Sequence, residues 1–268
     1  MNMLDNPILK EFLRTCTNMY NQGWDERNGG NISYRVDYED IKDYIDTAKV
    51  IREIPIGFNA KELSGMYFLV TGTGSYFKNI ELDPIHNMGL LRIKEDGVTS
   101  EILWGFEGGK FTSELPAHLM THIARLKVDK DNRVVTHCHP DNILALTYIL
   151  ELNDETFTKE LWQMETECIM VFPEGIGVLP WMVCGTNEIG IETAKKMEEY
   201  RLVIWAQHGI YSAGNTLDET YGLIETVEKA ARVYLKIKDM KRLNTLTDDN
   251  LKDLAKFFDI KYNKKFLK

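Results

Sequence analysis

The order of strand-like and helical segments constrains the fold of this chain more than any other feature of its sequence. The early strand-like segments follow one another at hairpin-like distances, whereas helical patterns separate the later ones. We therefore predict an α/β protein of αβα layers, with a mostly antiparallel or mixed central sheet covered by helices on both faces, and not a regularly alternating doubly wound fold. The predicted strands are residues 31–36, 66–71, 89–94, 101–105, 133–138, 168–172, 202–206 and 209–213.

Caps and apolar periodicity predict the helices. Pro7 after Asn6 suits the start of a helix, and Gly23 suits its end. Without an internal repeat or a Gly/Pro/Ser-rich linker, residues 1–268 are predicted to form a single domain. The basic tail, residues 261–268, is predicted to be loosely held. Further helices are predicted over 115–126, from 186 to about 200, from 218 to about 240, and after residue 247.

Charge and cysteine usage limit the possible partners and the compartment. The 268 residues carry a formal charge of −9, which repels nucleic acid and anionic membrane surfaces. No stretch has the apolar length of a membrane span, and the N-terminus lacks the apolar core of a signal peptide. We therefore expect a cytoplasmic protein that binds neither nucleic acid nor membranes. The scattered cysteines are predicted to be reduced, buried thiols: Cys16, Cys138, Cys168 and Cys184.

The segment RVVTHCHPDN, residues 133–142, predicts a metal site. Side chains two apart on a strand point to the same face, so His137 and His139 can converge on one ion. His208 follows an apolar strand, and Gly209 beside it favours a tight turn that presents the imidazole at the end of the sheet. Three histidines with an open fourth position are typical of a catalytic zinc site. Because neutral imidazoles do not reduce the charge of the ion, its Lewis acidity stays high.

Other interpretations of the histidines compete with this one. An isolated His-x-His pair is often structural, and His118 and His122, one helical turn apart, are interpreted as partly buried structural residues. The segment HCHPDN resembles the metallo-β-lactamase motif but has Asn142 where that motif needs histidine. A cupin also uses His-x-His, with a glutamate shortly after it and an all-β barrel around it; Asp141 and the predicted long helices make this interpretation weaker.

Glu114 and two glycine-rich segments complete the candidate site. In FTSELPAH, Glu114 lies at a predicted helix start with Thr112 or Ser113 as the N-cap; an acidic residue there is also explained by the helix dipole alone. The segments NGGN (28–31) and TGTGS (71–75) can turn backbone N–H groups towards an anion, although such segments are more often simple turns. We interpret Glu114 as the group that moves the proton, and the two loops as a phosphate cradle built from neutral donors.

Nine sequence blocks in this order resemble the class II aldolase/adducin family over residues 8–260. The resemblance implies an αβα fold around a mostly antiparallel sheet, assembled as a C4 homotetramer with active sites at subunit interfaces. It also implies one Zn²⁺ per subunit. The blocks read GWDERNGGNISYR, LVTGTGSYF, LWGF, TSELPAH, VVTHCHPDNILALTY, TECIMVFPEGIGVLPWMV, GTNEIG, HGIYSAG and LDETYGLIE.

The resemblance also implies an activity and residue roles. The activity is the reversible cleavage of L-rhamnulose 1-phosphate to dihydroxyacetone phosphate and L-lactaldehyde in rhamnose degradation. Another metal-dependent sugar-phosphate aldolase, for example one acting on L-fuculose 1-phosphate, or an epimerase of the superfamily is the alternative. A scaffolding role is disfavoured because all ligands are present, and a Schiff-base aldolase because no lysine ends an apolar strand. The implied roles are zinc binding by His137, His139 and His208, acid–base catalysis by Glu114, assistance at the aldehyde oxygen by Glu167 in a neighbouring subunit's site, and phosphate binding by Asn28, Asn31, Thr73, Thr112 and Ser113. Ser75 stands where a basic residue can occur in the family, so a charge near the phosphate is expected to be missing.

Overall fold

A computed structural model describes residues 2–267. Its nine described strands form one sheet in the order β2-β5-β4-β3-β1-β6-β9-β8-β7. Every neighbouring pair is antiparallel except β7 and β8, so the predicted mixed, mostly antiparallel sheet is confirmed. The strands are β1 (Asn31–Val36), β2 (Arg52–Pro55), β3 (Tyr67–Thr71), β4 (Met88–Ile93), β5 (Thr99–Gly105), β6 (Val134–Cys138), β7 (Gly177–Leu179), β8 (Leu202–Trp205) and β9 (Gly209–Gly214).

Several helices begin at polar caps, at positions where the sequence predicted a helix start. The side chain of Asn6 accepts a hydrogen bond from the N–H of Ile8 at 2.8 Å, and Thr186 and Thr247 cap later helices in the same way. Two short 3₁₀ helices, Met3–Asp5 and Lys61–Leu63, add to the α-helices. The α-helices are α1 (Pro7–Asn21), α2 (Tyr38–Ile41), α3 (Phe77–Ile80), α4 (Pro84–Asn87), α5 (Leu115–Val128), α6 (Asp141–Leu146), α7 (Asp154–Trp162), α8 (Glu167–Val171), α9 (Asn187–Met197), α10 (Leu217–Ile237) and α11 (Asp248–Phe257).

Alternation along the central strands divides the apolar core between the two faces of the sheet. On β6, Val134 belongs to the core that includes residues of α1 and α10. Its neighbour Val135 belongs to the core that includes Ala117 of α5 and Ile189 of α9. Successive side chains of a strand point to opposite faces, so helices cover both sides and the predicted αβα layering is confirmed. Each large apolar side chain buried in this way contributes roughly 2 kcal/mol.

The predicted strand at residues 168–172 is wrong, because this segment is the short helix α8. A short apolar run has no periodicity that separates a buried strand from a buried helical turn. Here Cys168 and Ile169 are both buried although they are adjacent, which suits a helix in the interior. Strands β2 and β7, which have only four and three residues, were not predicted, and neither was helix α7.

The C-terminal tail is held more firmly than its basic composition predicted. Phe266 is 1% exposed and contacts the ring of Trp162 edge-on, with the centroids 5.8 Å apart. Leu267 is also buried. Two apolar residues among the lysines are thus enough to dock the tail; Lys268, which was included in the prediction, lies outside the described residues.

Candidate metal-dependent active site

One row of residues across the middle of the sheet forms the floor of the site. Asn31 on β1 is paired with His137 on β6, and His137 is paired with Tyr211 on β9. Residues directly opposite on adjacent strands point to the same face, so the three side chains lie side by side. The rings of His137 and Tyr211 stack with their centroids 4.6 Å apart.

The structure brings the three histidines predicted as ligands together. One ring nitrogen from each of His137, His139 and His208 lies within 4.8 Å of the others. The Nε2 atoms of His137 and His139 face each other at 3.2 Å. His208 lies in the β8–β9 turn, and its ring centroid is 4.9 Å from that of His137 and 5.0 Å from that of His139.

Hydrogen bonds on the far side of two of these rings fix which nitrogen is free. The Nδ1 of His137 donates to the carbonyl oxygen of Ile210 at 3.0 Å, and the Nδ1 of His139 donates to the carboxylate of Glu26 at 3.0 Å. A neutral imidazole that donates from Nδ1 has a bare Nε2. Two bare lone pairs facing at 3.2 Å repel each other unless a cation lies between them. The donor set therefore fits a divalent ion, and its outer partners are those typical of metal-binding histidines.

Burial keeps the imidazoles of His137 and His208 in the neutral form that coordinates metals. Desolvation, together with His139 and His208 nearby, lowers the pKa of His137 well below its ordinary value. Desolvation also lowers the pKa of His208 to about 4. The Nε2 of His137 lies 3.7 Å from the Oε2 of Glu114. Because His137 is neutral, this contact is not an ion pair, and it places the carboxylate next to a possible metal ligand.

Glu114 immediately precedes α5 and points at the histidines. It is itself the N-cap residue, and Thr112 Oγ1 accepts from its N–H at 3.3 Å, so the prediction of Thr112 or Ser113 as the N-cap is wrong. Its Oε2 accepts hydrogen bonds from the Nδ2 of Asn31 at 3.0 Å and from the hydroxyl of Tyr211 at 3.1 Å. Burial raises the pKa of Glu114, while these two donors act in the opposite direction.

The predicted phosphate cradle lines the same cavity as the histidines. The cavity has a volume of about 280 Å³, and both glycine-rich loops and the start of α5 contribute to it. Gly30, in the first loop, has φ of +75°, and an added Cβ would lie 1.7 Å from the Oδ1 of the buried Asp25. The turn therefore requires glycine there. The lining residues that were predicted to bind phosphate are Asn28, Asn31, Thr73, Thr112 and Ser113.

Two details of this cavity differ from the sequence-based expectations. Arg27 also lines it, so the cavity contains a basic residue beside the neutral donors. In the β8–β9 turn the left-handed residue is Gln207, with φ of +57°, and not Gly209. Gly209 is needed for another reason: a Cβ there would lie 2.3 Å from the carbonyl oxygen of Cys138.

Glu167 lies away from this cavity within the single chain. It is the first residue of α8 and lines a separate hollow with Glu165 and Glu228. Its predicted role in a neighbouring subunit's site stays a prediction.

Sequence reasoning missed three residues of the site. Tyr211 stood in the quoted HGIYSAG block, but only the pairing of β6 with β9 reveals its place beside His137. Cys184 is exposed, so the prediction that it is buried is wrong, and its Sγ lies within 4.8 Å of both a carboxylate oxygen of Glu114 and a ring nitrogen of His208. Glu26, bonded to His139, carried no signal beyond its position in the glycine-rich segment.

Comparisons with known proteins agree with this architecture. The profile of the family described as "Class II Aldolase and Adducin N-terminal domain" matches residues 10–235. The rhamnulose-1-phosphate aldolase of Listeria monocytogenes is 52% identical over 261 residues, covering 97% of this chain and 96% of that protein. The enzyme of the same name from Enterococcus faecalis is 50% identical over 262 residues, covering 97% of this chain and 94% of its own length.

Solved structures are similar as well. A sugar-phosphate aldolase from Thermotoga maritima superposes with a TM-score of 0.76 at 30% identity, covering 88% of this chain and 97% of that one. The L-fuculose-1-phosphate aldolase of Thermus thermophilus gives a TM-score of 0.57 at 21% identity, covering 85% of this chain and 92% of that one. The latter similarity concerns the fold alone.

Proposed function

The chain belongs to the class II aldolase and adducin family, and from this premise we propose that it is a zinc-dependent lyase that reversibly cleaves L-rhamnulose 1-phosphate. The products would be dihydroxyacetone phosphate and L-lactaldehyde, in the degradation of L-rhamnose. Aldolases of this name in Listeria and Enterococcus share about half of its residues along nearly their whole length. That extent of identity favours this substrate over L-fuculose 1-phosphate and over epimerisation.

One observation carries the proposal. Three imidazoles converge, a carboxylate oxygen of Glu114 approaches the Nε2 of His137 at 3.7 Å, and all four side chains line a cavity that also contains the two glycine-rich loops. A sugar phosphate needs an anion cradle at one end and acid–base chemistry at the other. The cavity offers both within one volume.

We assign the metal site to His137, His139 and His208. Three histidines suit zinc, which is bound by imidazole nitrogens in tetrahedral sites with one open position. The ion would supply Lewis-acid stabilisation of the negative charge that develops on the dihydroxyacetone phosphate fragment. Glu26 and the carbonyl group of Ile210 hold two of the rings with the required nitrogen free.

Glu114 is assigned the proton transfer. In condensation its carboxylate removes the proton from the carbon next to the carbonyl group of dihydroxyacetone phosphate, and in cleavage it returns that proton. Asn31 and Tyr211 both donate to Oε2, which holds the carboxyl group in place and leaves Oε1 to exchange the proton. Glu167 of a neighbouring subunit would assist at the aldehyde oxygen, in a C4 homotetramer with active sites at the interfaces.

The phosphate group is assigned to the loop residues of the cavity. Backbone N–H groups and small polar side chains of both glycine-rich loops can donate to its oxygens. Arg27 adds a positive charge in a protein whose formal charge is −9. The residues proposed to bind phosphate are Asn28, Asn31, Thr73, Thr112 and Ser113.

We further propose that residues 1–268 form a single domain, supported by the one sheet that contains the described strands. Among residues 2–267, no helix is both long and apolar enough to cross a membrane. The cytoplasmic location remains our expectation.

The proposal is tested by mixing the purified protein with L-rhamnulose 1-phosphate or L-fuculose 1-phosphate and comparing initial rates of dihydroxyacetone phosphate release. We expect faster release from the rhamnulose ester, loss of activity with a chelator, and no effect of borohydride. Faster release from the fuculose ester would move the assignment to that substrate. Borohydride inactivation with resistance to the chelator would contradict metal-dependent catalysis.

A further inference from the structure

A chain of hydrogen-bonded side chains runs from Glu114 into the interior of the protein. The Nδ2 of Asn31 bonds to Glu114 Oε2 at 3.0 Å, and the Oδ1 of Asn31 bonds to His118 Nε2. The Nδ1 of His118 lies 2.8 Å from Ser33 Oγ, which in turn lies 2.9 Å from His122 Nε2. Both histidines and Ser33 are 0% exposed, so the links are shielded from water.

The strand β1 and the helix α5, which carry these hydrogen-bonded side chains, face each other. Asn31 and Ser33 are two apart on β1 and so point to one side of the sheet. His118 and His122 are four apart on α5 and so lie on one side of the helix. The oxygen of Ser33 bridges the two ring nitrogens that face it, which leaves no common open position for an ion between these histidines.

When Glu114 is ionised, each link has one direction of donation. An ionised Glu114 can only accept, so the amino group of Asn31 faces it and the carbonyl oxygen of Asn31 faces His118. His118 must then carry its proton on Nε2, which leaves Nδ1 bare. Ser33 therefore donates its hydroxyl proton to Nδ1 of His118, and its oxygen accepts from Nε2–H of His122.

The environment of His122, the last residue of this hydrogen-bonded series, is consistent with this direction of donation. With its proton on Nε2, His122 has a bare Nδ1, and this atom is buried without a hydrogen-bond partner. A buried acceptor without a partner is tolerated more often than a buried N–H. Burial also lowers the pKa of His118 to about 3 and that of His122 well below its ordinary value, so both rings are neutral.

From this geometry we propose that Ser33, His118 and His122 are positioning residues for proton transfer, which select the orientation of the Asn31 amide that donates to Glu114. A reversed amide would turn its oxygen towards the carboxylate and repel it. The chain prevents this reversal, because Nε2–H of His118 needs an acceptor. Oε2 of Glu114 is thereby held by two donors, and Oε1 is left for the substrate. Only the catalytic consequence of this inference rests on the proposed function; the directions of the hydrogen bonds do not.

Ser33→Ala tests the consequence, with Thr121→Val as the matched control. Ser33→Ala removes the hydroxyl group that donates to Nδ1 of His118 and accepts from Nε2–H of His122, so that the tautomer of His118, and with it the orientation of the Asn31 amide, is no longer tied to His122. Thr121 lies on α5 between the two histidines, is fully buried and has no hydrogen-bond partner for its hydroxyl. Both variants delete one buried hydroxyl group, but only Ser33→Ala breaks the chain.

The measurement is the exchange of the carbon-bound proton of dihydroxyacetone phosphate with deuterated solvent, without aldehyde. We expect kcat for exchange to fall about tenfold in Ser33→Ala, with KM within about twofold of wild type and metal content unchanged. Thr121→Val should match wild type. Equal exchange rates in the two variants, with an active wild type, would overturn the positioning role. A wild type that exchanges no proton would instead overturn the proposed function.

Neutron diffraction from deuterated wild-type crystals tests the directions of these hydrogen bonds without any substitution. We expect deuterium on Nε2 of His118 and of His122, none on Nδ1 of either ring, and the amino group of Asn31 facing Glu114. Deuterium on Nδ1 of His118 would contradict the assigned direction and sink the proposal.

Discussion

The hydroxyl group of Tyr211 donates a hydrogen bond to Oε2 of Glu114 at 3.1 Å while its ring stacks on His137. One side chain of the central sheet thus contacts both the proposed base and a proposed metal ligand. Burial and Glu114 raise the pKa of Tyr211 well above its ordinary value, so the phenol keeps its proton and can only act as the donor to a carboxylate.

Tyr211→Phe should therefore reduce kcat without loss of the metal. A hydrogen bond to a charged group is worth about 1.5–3 kcal/mol, so we expect a fall of roughly 10- to 100-fold. Steady-state rates and zinc content check this. Tyr34→Phe, at a buried tyrosine of β1 outside the cavity, is the control and should stay near wild type. Equal kcat in both variants would show that the hydrogen bond has no catalytic weight.

Acid should destabilise the protein in part through His118. Burial lowers its pKa from 6.5 to about 3, so between these values the unfolded chain binds a proton that the folded chain does not. Stability contributed by this group is therefore complete above pH 6.5 and is lost towards pH 3, by about 1.4 kcal/mol per pH unit. Urea unfolding of wild type and His118→Gln from about pH 7 to pH 5 should show the shallower decline in the variant. Identical slopes would contradict a neutral, buried His118.

Gly30→Ala should damage the phosphate loop. The backbone there is left-handed, and the new Cβ would lie 1.7 Å from the Oδ1 of Asp25. We expect a loss of about 1–3 kcal/mol or more of stability, together with an increased KM for the phosphorylated substrate. Gly108→Ala is a suitable control, since its φ is also positive but no atom lies within 4 Å of the added Cβ. If both variants behaved alike, backbone strain and not the contact with Asp25 would set the cost.

Alkylation of Cys184 should inactivate the enzyme. The thiol is exposed and lies within 4.8 Å of donor atoms of Glu114 and His208, whereas Cys16, Cys138 and Cys168 are buried. An added carboxamidomethyl group would lie beside Glu114 and His208. Activity after iodoacetamide treatment should fall in wild type, be protected by dihydroxyacetone phosphate, and be unaffected in Cys184→Ser. Inactivation of Cys184→Ser at the wild-type rate would place the sensitive group elsewhere.

The sequence was sufficient to predict those parts of the site in which local periodicity determines the position of a side chain. His137 and His139 share a face because strand side chains alternate, and Glu114 precedes a helix whose start the sequence marks. Tyr211 and the link between Asn31 and Glu114 depend on strand register and on residues 83 positions apart, which no local pattern contains. The segment 168–172, predicted as a strand, and the docked Phe266 were mispredicted because tertiary packing overrode short local signals.

The central claim is that His137, His139 and His208 hold one cation facing Glu114. Anomalous diffraction on both sides of the zinc absorption edge, from crystals of the active protein, tests it most directly. The account predicts one zinc peak per subunit, about 2.0–2.1 Å from a nitrogen of each ring. Fully active crystals without a peak among these three rings, or with the zinc bound elsewhere, would contradict it.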